Sequence, residues 1–144
     1  MKYIVSRWLP VILWAALIFL ISMNPDPYRT LPAALRQPLQ LAGITFSDDD
    51  LFGNPGHLIE YAILGILTAR ALIWKRSSSP GLITLIFSLC AAYALSDELH
   101  QTFVPGRTFE IQDLVVDVSG ILIGLALYRA IRRYRDRRRK VSEI

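Results

Sequence analysis

SSSPGLITLIFSLCAAYALSDELHQ, residues 77–101, decides the fold. Its first 20 residues carry no charge, the length an α-helix needs to cross a hydrocarbon core about 30 Å thick. Pro80 and Gly81 suit the start of such a helix. The run then meets Asp97, Glu98, His100 and Gln101 with no turn residue between, so the helix delivers a polar cluster at its far end.

Three more stretches share this character. Residues 8–25 hold no charge, follow Lys2 and Arg7, and lack the small-x-small site of a cleaved signal peptide, so they read as an uncleaved first span. Residues 57–74 are apolar except for His57, Glu60 and Arg70, and residues 111–128 are interrupted only by Asp113 and Asp117. None shows strand alternation, and in lipid only helices or closed barrels satisfy every backbone group. The expected fold is an all-α integral membrane bundle of four helices, over residues 8–25, 57–74, 78–97 and 111–128. The chain is expected to be a single transmembrane domain, 1–144, that ends in a basic tail over 129–144.

Composition agrees. Of 144 residues 53% are hydrophobic and 19% charged, against about 25% charged in ordinary soluble domains. The lone Cys90 excludes an intramolecular disulfide, a cysteine metal cluster and a redox pair. The net charge of +4 does not describe a basic folded face, because eight of the 16 Lys and Arg lie in residues 129–140. That tail reads as a topology determinant and an anchor to anionic headgroups, each base contributing around 1 kcal/mol near the surface. Nucleic acid is not expected as a partner, since Tyr134 is the only aromatic interleaved there.

With both termini cytoplasmic, that side holds 13 Lys and Arg and the other only Arg29, Arg36 and Arg107. The positive-inside rule favours this orientation. Ten of the 12 acidic residues then lie in the outer loops or at the outer ends of spans, so any chemistry faces outward. Between the first two spans, prolines 25, 27, 32, 38 and 55 break any long helix. Leu35, Leu39, Leu41, Ala42, Ile44 and Phe46 are expected to form a short interfacial helix, with a mobile linker as the alternative.

An ionisable side chain at mid-bilayer costs roughly 2.5 to 3.5 kcal/mol on insertion scales, so it reads as functional or paired. Here several share a depth. His57 and Glu60 are three apart, Asp113 and Asp117 four apart, and Gln101 lies three and four residues after Glu98 and Asp97, so each set shares a helix face. His57, Glu60, Asp97 and Glu98 are the candidate catalytic acids and bases. Gln101, Arg107, Asp113 and Asp117 are the candidate ligand-binding residues. Val104-Pro105-Gly106-Arg107 is a tight-turn signature that fixes an Arg over the acids, either to neutralise Asp97, Glu98 or Asp113 or to grip a phosphate or carboxylate. Imidazole and carboxylates are ligands that divalent ions use, but no H-E-x-x-H motif occurs, and neither a metal nor another cofactor is assigned. Gly120 and Gly124 form a GxxxG face that would pack inward and carry the acids with it, with homodimerisation as the rival reading.

The run Tyr93-Ala94-Leu95-Ser96-Asp97-Glu98-Leu99-His100-Gln101-Thr102-Phe103-Val104-Pro105-Gly106-Arg107, followed by Asp113, Asp117, Gly120 and Gly124, resembles the signature of the VanZ-like family. His57-Leu58-Ile59-Glu60-Tyr61 with Leu64 and Gly65 is similar to that family's second-helix motif. The chain departs from the pattern at Asn54, where many members are basic, and at Ser22-Met23-Asn24-Pro25. The resemblance implies a small multi-pass protein of the bacterial cytoplasmic membrane. Its founding member lowers susceptibility to teicoplanin, without an assigned reaction. It places the family's polar positions on His57, Glu60, Asp97, Glu98, Gln101, Arg107, Asp113 and Asp117. The expected function is to bind or modify a cell-envelope component, with a lipid-linked cell-wall precursor and membrane lipids as partners. An intramembrane hydrolase or transferase and a non-catalytic structural protein are the alternatives. A homo-oligomer is compatible with so small a bundle.

Overall fold

The computed structural model describes residues 2–24, 37, 55–73 and 79–142. Among them are four helices and no strand: α1 (Lys2–Ser22), α2 (Pro55–Leu72), α3 (Pro80–Gln101) and α4 (Ile111–Ser142). The interfacial helix expected around residues 35–46 lies outside the described residues.

Consecutive helices run antiparallel. Ser22 at the end of α1 bonds Asp97 near the end of α3, and Arg7 near the start of α1 bonds the carbonyl of Arg70 at the end of α2. The start of α1 and the end of α4 therefore sit at one end of the bundle, here the basic end, and the acids gather at the other, the polar end. Two further bonds tie α1 to its neighbours: Trp14 Nε1–H donates to the Glu60 carbonyl at 2.9 Å, and the Tyr93 hydroxyl to the Ala15 carbonyl at 2.6 Å.

Among the described residues three helices are long and apolar enough to cross a membrane: Val5–Ser22, Pro80–Gln101 and Ile111–Arg139. No more than 28% of each is buried inside the bundle, and their outer faces present leucines such as Leu13, Leu20, Leu89 and Leu122. That is the pattern of helices solvated by lipid. Among the described residues the fourth expected span, α2, is not one of these, its 18 residues diluted by His57, Glu60 and Arg70. It packs on all three others, most extensively on α4, and among its described residues Ile59 is the one large hydrophobic side chain exposed. A helix covered by helices needs less apolar surface of its own, because small and polar residues face protein there rather than lipid.

The α2–α4 seam is backbone against backbone. A Cβ added to Gly120 would stand 2.5 Å from the Leu58 carbonyl oxygen, and one on Gly124 would come still closer to that of Ala62. Gly65 meets the Ile121 carbonyl from the opposite side. The GxxxG face is thus used within the chain, where it presses the acids of α4 against the start of α2.

Helix ends follow from local chemistry. Ser79 caps α3 by accepting from Leu82 N–H at 3.3 Å, with Pro80 in the first turn, where its missing N–H costs nothing. The helix continues past the uncharged run to include Asp97, Glu98 and Gln101 in its last turns. Beyond it, Arg107 N–H bonds the Val104 carbonyl at 3.1 Å across Pro105 and Gly106, whose φ of 86° is the left-handed conformation that glycine adopts without strain. At the other extreme, α4 runs unbroken through the basic segment expected as a tail. Its 32 residues rise about 48 Å, well beyond a core of about 30 Å.

Candidate functional site

All four helices contribute to the polar end, which contains two linked nodes. The first is centred on Asp97, which is 3% exposed. Its Oδ2 accepts from the Ser22 hydroxyl of α1 at 2.8 Å, the Tyr61 hydroxyl of α2 at 3.2 Å and, more weakly, Gln101 Nε2 at 3.4 Å. Hydrogen bonds to a charged acceptor are stronger than neutral ones, so Asp97 fastens three helices together. Its Oδ1 has no partner among the described residues.

The second node joins α2, α3 and α4. His57 Nδ1–H donates to Asp117 Oδ1 at 3.0 Å, an ion pair when the imidazole is protonated. Glu98 reaches the same place, and one ligating atom from each of His57, Glu98 and Asp117 lies within 4.8 Å of the others. Glu98 and Asp117 are both fully buried. Glu98 Oε2 accepts the Glu110 backbone N–H at 3.1 Å, but Glu98 Oε1 and Asp117 Oδ2 are buried with no partner. A buried polar atom left unpaired costs on the order of 1 to 3 kcal/mol, more when charged. Glu98 and Asp117 each keep one such oxygen, and a carboxylate oxygen of each lies within 4.8 Å of the other and of His57, so the cluster holds acceptors that the bundle's own donors do not fill.

The structure therefore gathers His57, Asp97, Glu98, Gln101 and Asp117 from the expected set into one buried cluster. Glu60, Arg107 and Asp113 are only half-buried and lie around it. Arg107 forms no ion pair with Asp97, Glu98 or Asp113, although its charge is close enough to Glu60 to act on it electrostatically. Neutralisation of those three acids is thus not what the turn provides. Sequence reasoning missed three participants: Ser22, the Tyr61 hydroxyl and the Glu110 backbone amide. A hydroxyl on the last residue of an apolar span was the available signal for Ser22, whereas a backbone amide has none. His100, a metal candidate by residue type, stacks on Phe19 at 4.4 Å between centroids and takes no part in the second node.

At the basic end, a cleft of about 260 Å³ is lined by Arg7, Arg70, Arg132, Arg135 and Arg139, with Tyr128 and Asp136 among them. Two of these arginines close the end of α2: Arg7 Nη1 donates to the Arg70 carbonyl at 3.1 Å and Arg132 Nη1 to the Ile73 carbonyl at 2.7 Å. Cations at a helix C-terminus satisfy its last carbonyls and oppose its dipole.

An all-helical bundle with three membrane-spanning segments and a buried acid and histidine cluster at one end defines a small helical membrane protein. The chain matches the VanZ/LLP1 family over residues 7–132, most of its length, and belongs to that family. The motif at residues 93–107 and the GxxxG face both lie inside the matched region. Among curated proteins and among solved structures, none matches the chain.

Proposed function

We propose that this protein binds or modifies a component of the bacterial cell envelope at the polar end of the bundle, on the outer side of the cytoplasmic membrane. The carrying observation is the pair of buried, unpartnered carboxylate oxygens of Glu98 and Asp117, at the same end as the half-buried Arg107, whose charge acts on Glu60. Such an arrangement suits a ligand with both an anionic group and proton or cation donors, as in a lipid-linked cell-wall precursor. The arginines concentrated at the opposite end support the orientation. There they face the inner leaflet, and the arginine-lined cleft receives the phosphate headgroups of anionic lipids. Through the envelope component the protein lowers susceptibility to lipoglycopeptides such as teicoplanin.

One observation favours catalysis over binding alone. Asp117 holds His57 by Nδ1, which orients the ring and leaves Nε2 as its basic atom in the neutral form, the arrangement of a general base and its orienting carboxylate. An intramembrane hydrolase or transferase would use it.

The test is the teicoplanin susceptibility of a sensitive host carrying equal membrane levels of wild type, Glu98→Gln or Arg107→Ala. Wild type is expected to raise the inhibitory concentration and both variants to return it to the empty-vector level. No protection by inserted wild type, or full protection by both variants, rejects the reading.

A further inference from the structure

We propose that His57, Glu98 and Asp117 form a binding site for one divalent first-row transition-metal cation, in the class of Mn²⁺, Fe²⁺ or Zn²⁺. Three observations carry this. The first is geometry. Ligands on one such ion sit about 2.0 to 2.2 Å from it, so two on opposite sides stand about 4.2 Å apart. In a tetrahedral site neighbouring ligands stand about 3.4 Å apart; the three ligating atoms already lie within 4.8 Å of one another, and the site closes with side-chain shifts of about an ångström.

The second is unmet valence. Glu98 Oε1 and Asp117 Oδ2 are fully enclosed and accept nothing, on two residues anchored from different helices. A cation is the partner that serves both at once. It also brings the local charge of two carboxylates and a neutral imidazole to zero, which a low-dielectric interior favours. Without it, His57 is the single cationic group in contact with either carboxylate among the described residues, and the nearby Asp97 adds a further acid.

The third is support around the ligands. Glu98 is oriented by the Glu110 amide on its other oxygen, the arrangement that fixes a carboxylate ligand for a metal. One imidazole with two carboxylates suits Mn²⁺, Fe²⁺ or Zn²⁺, whereas Mg²⁺ and Ca²⁺ prefer oxygen alone. Three protein ligands leave coordination positions for an exogenous oxygen donor, water or a phosphate. The inference shares the polar end with the proposed function but does not depend on which envelope component binds.

The test uses the full chain in detergent micelles, stripped by chelator and titrated with Mn²⁺ while the free-ion signal is followed by electron paramagnetic resonance. Wild type is expected to take up one Mn²⁺ per chain. Glu98→Gln and Asp117→Asn should weaken binding about tenfold or more, and Asp136→Asn, at the basic end, should leave it unchanged. Pulsed measurements on wild type should detect imidazole nitrogen on the bound ion, which needs no variant to fold. No uptake by folded wild type, uptake indifferent to the two variants, or absence of the imidazole signal overturns the site. Cation uptake without a teicoplanin phenotype overturns the proposed function alone, and the phenotype without uptake overturns this inference alone.

Discussion

The polar and basic ends of the bundle hold their charges in opposite ways. At the polar end Asp97, Glu98 and Asp117 are withdrawn from solvent, each anchored through one oxygen by a group from another part of the chain and unpaired at the second. At the basic end the arginines of α4 are half-buried or exposed, and their partners include the Ile73 carbonyl and Asp136 for Arg132 and the Tyr134 ring for Arg138. The cost of charge differs accordingly. Solvated arginines at a helix end are cheap and set orientation by their number. Enclosed carboxylates are costly and need a specific partner, so their persistence at one end points to a ligand there.

Four substitutions test this contrast, taken from the largest expected effect. Gly124→Leu forces a side chain into the Ala62 backbone and should separate α2 from α4. The expected loss is about 3 kcal/mol or more, read as a collapse of the denaturant midpoint in micelles. If the midpoint is unchanged, the seam is not what holds the acids of α4 against His57. Tyr61→Phe removes one donor to a buried carboxylate and should cost about 2 kcal/mol by the same measurement, with Ser22→Ala similar. A cost near zero for both would mean that Asp97 is solvated and that the two ends are alike. Arg132→Ala deletes one carbonyl cap at the half-buried basic end, and the expected loss is about 1 kcal/mol or less. A loss as large as that of Tyr61→Phe would show the basic end to be equally structural.

Much of this architecture was legible beforehand. Uncharged runs of spanning length gave the helices, and spacings of three and four placed His57, Asp97, Gln101 and Asp117 on faces that could meet. The GxxxG pair signalled close packing, and the residues around Asp97 to Arg107 carried the family. What escaped has physical causes. Hydropathy measures composition and not neighbours, so the packing of α2 against all three other helices was not readable from its run. Spacing assigns a face but not the partner across the gap, so the bond between His57 and Asp117, 60 positions apart, was not foreseen. Ser22 offered only a lone hydroxyl at the end of an apolar run, and the Glu110 amide entered through chain geometry alone, since a backbone N–H has no sequence signal.

That α1 starts and α4 ends at the same end of the bundle also has a practical side. A reporter fused to the start of α1 and one fused to the end of α4 probe that one end, so the two serve as replicates and leave the opposite end unread. The turn after α3 supplies that view. Phe103 is 83% exposed there, whereas the only natural thiol, Cys90, is buried within α3 at 2%. A cysteine at position 103 would therefore be the single thiol open to an impermeant label.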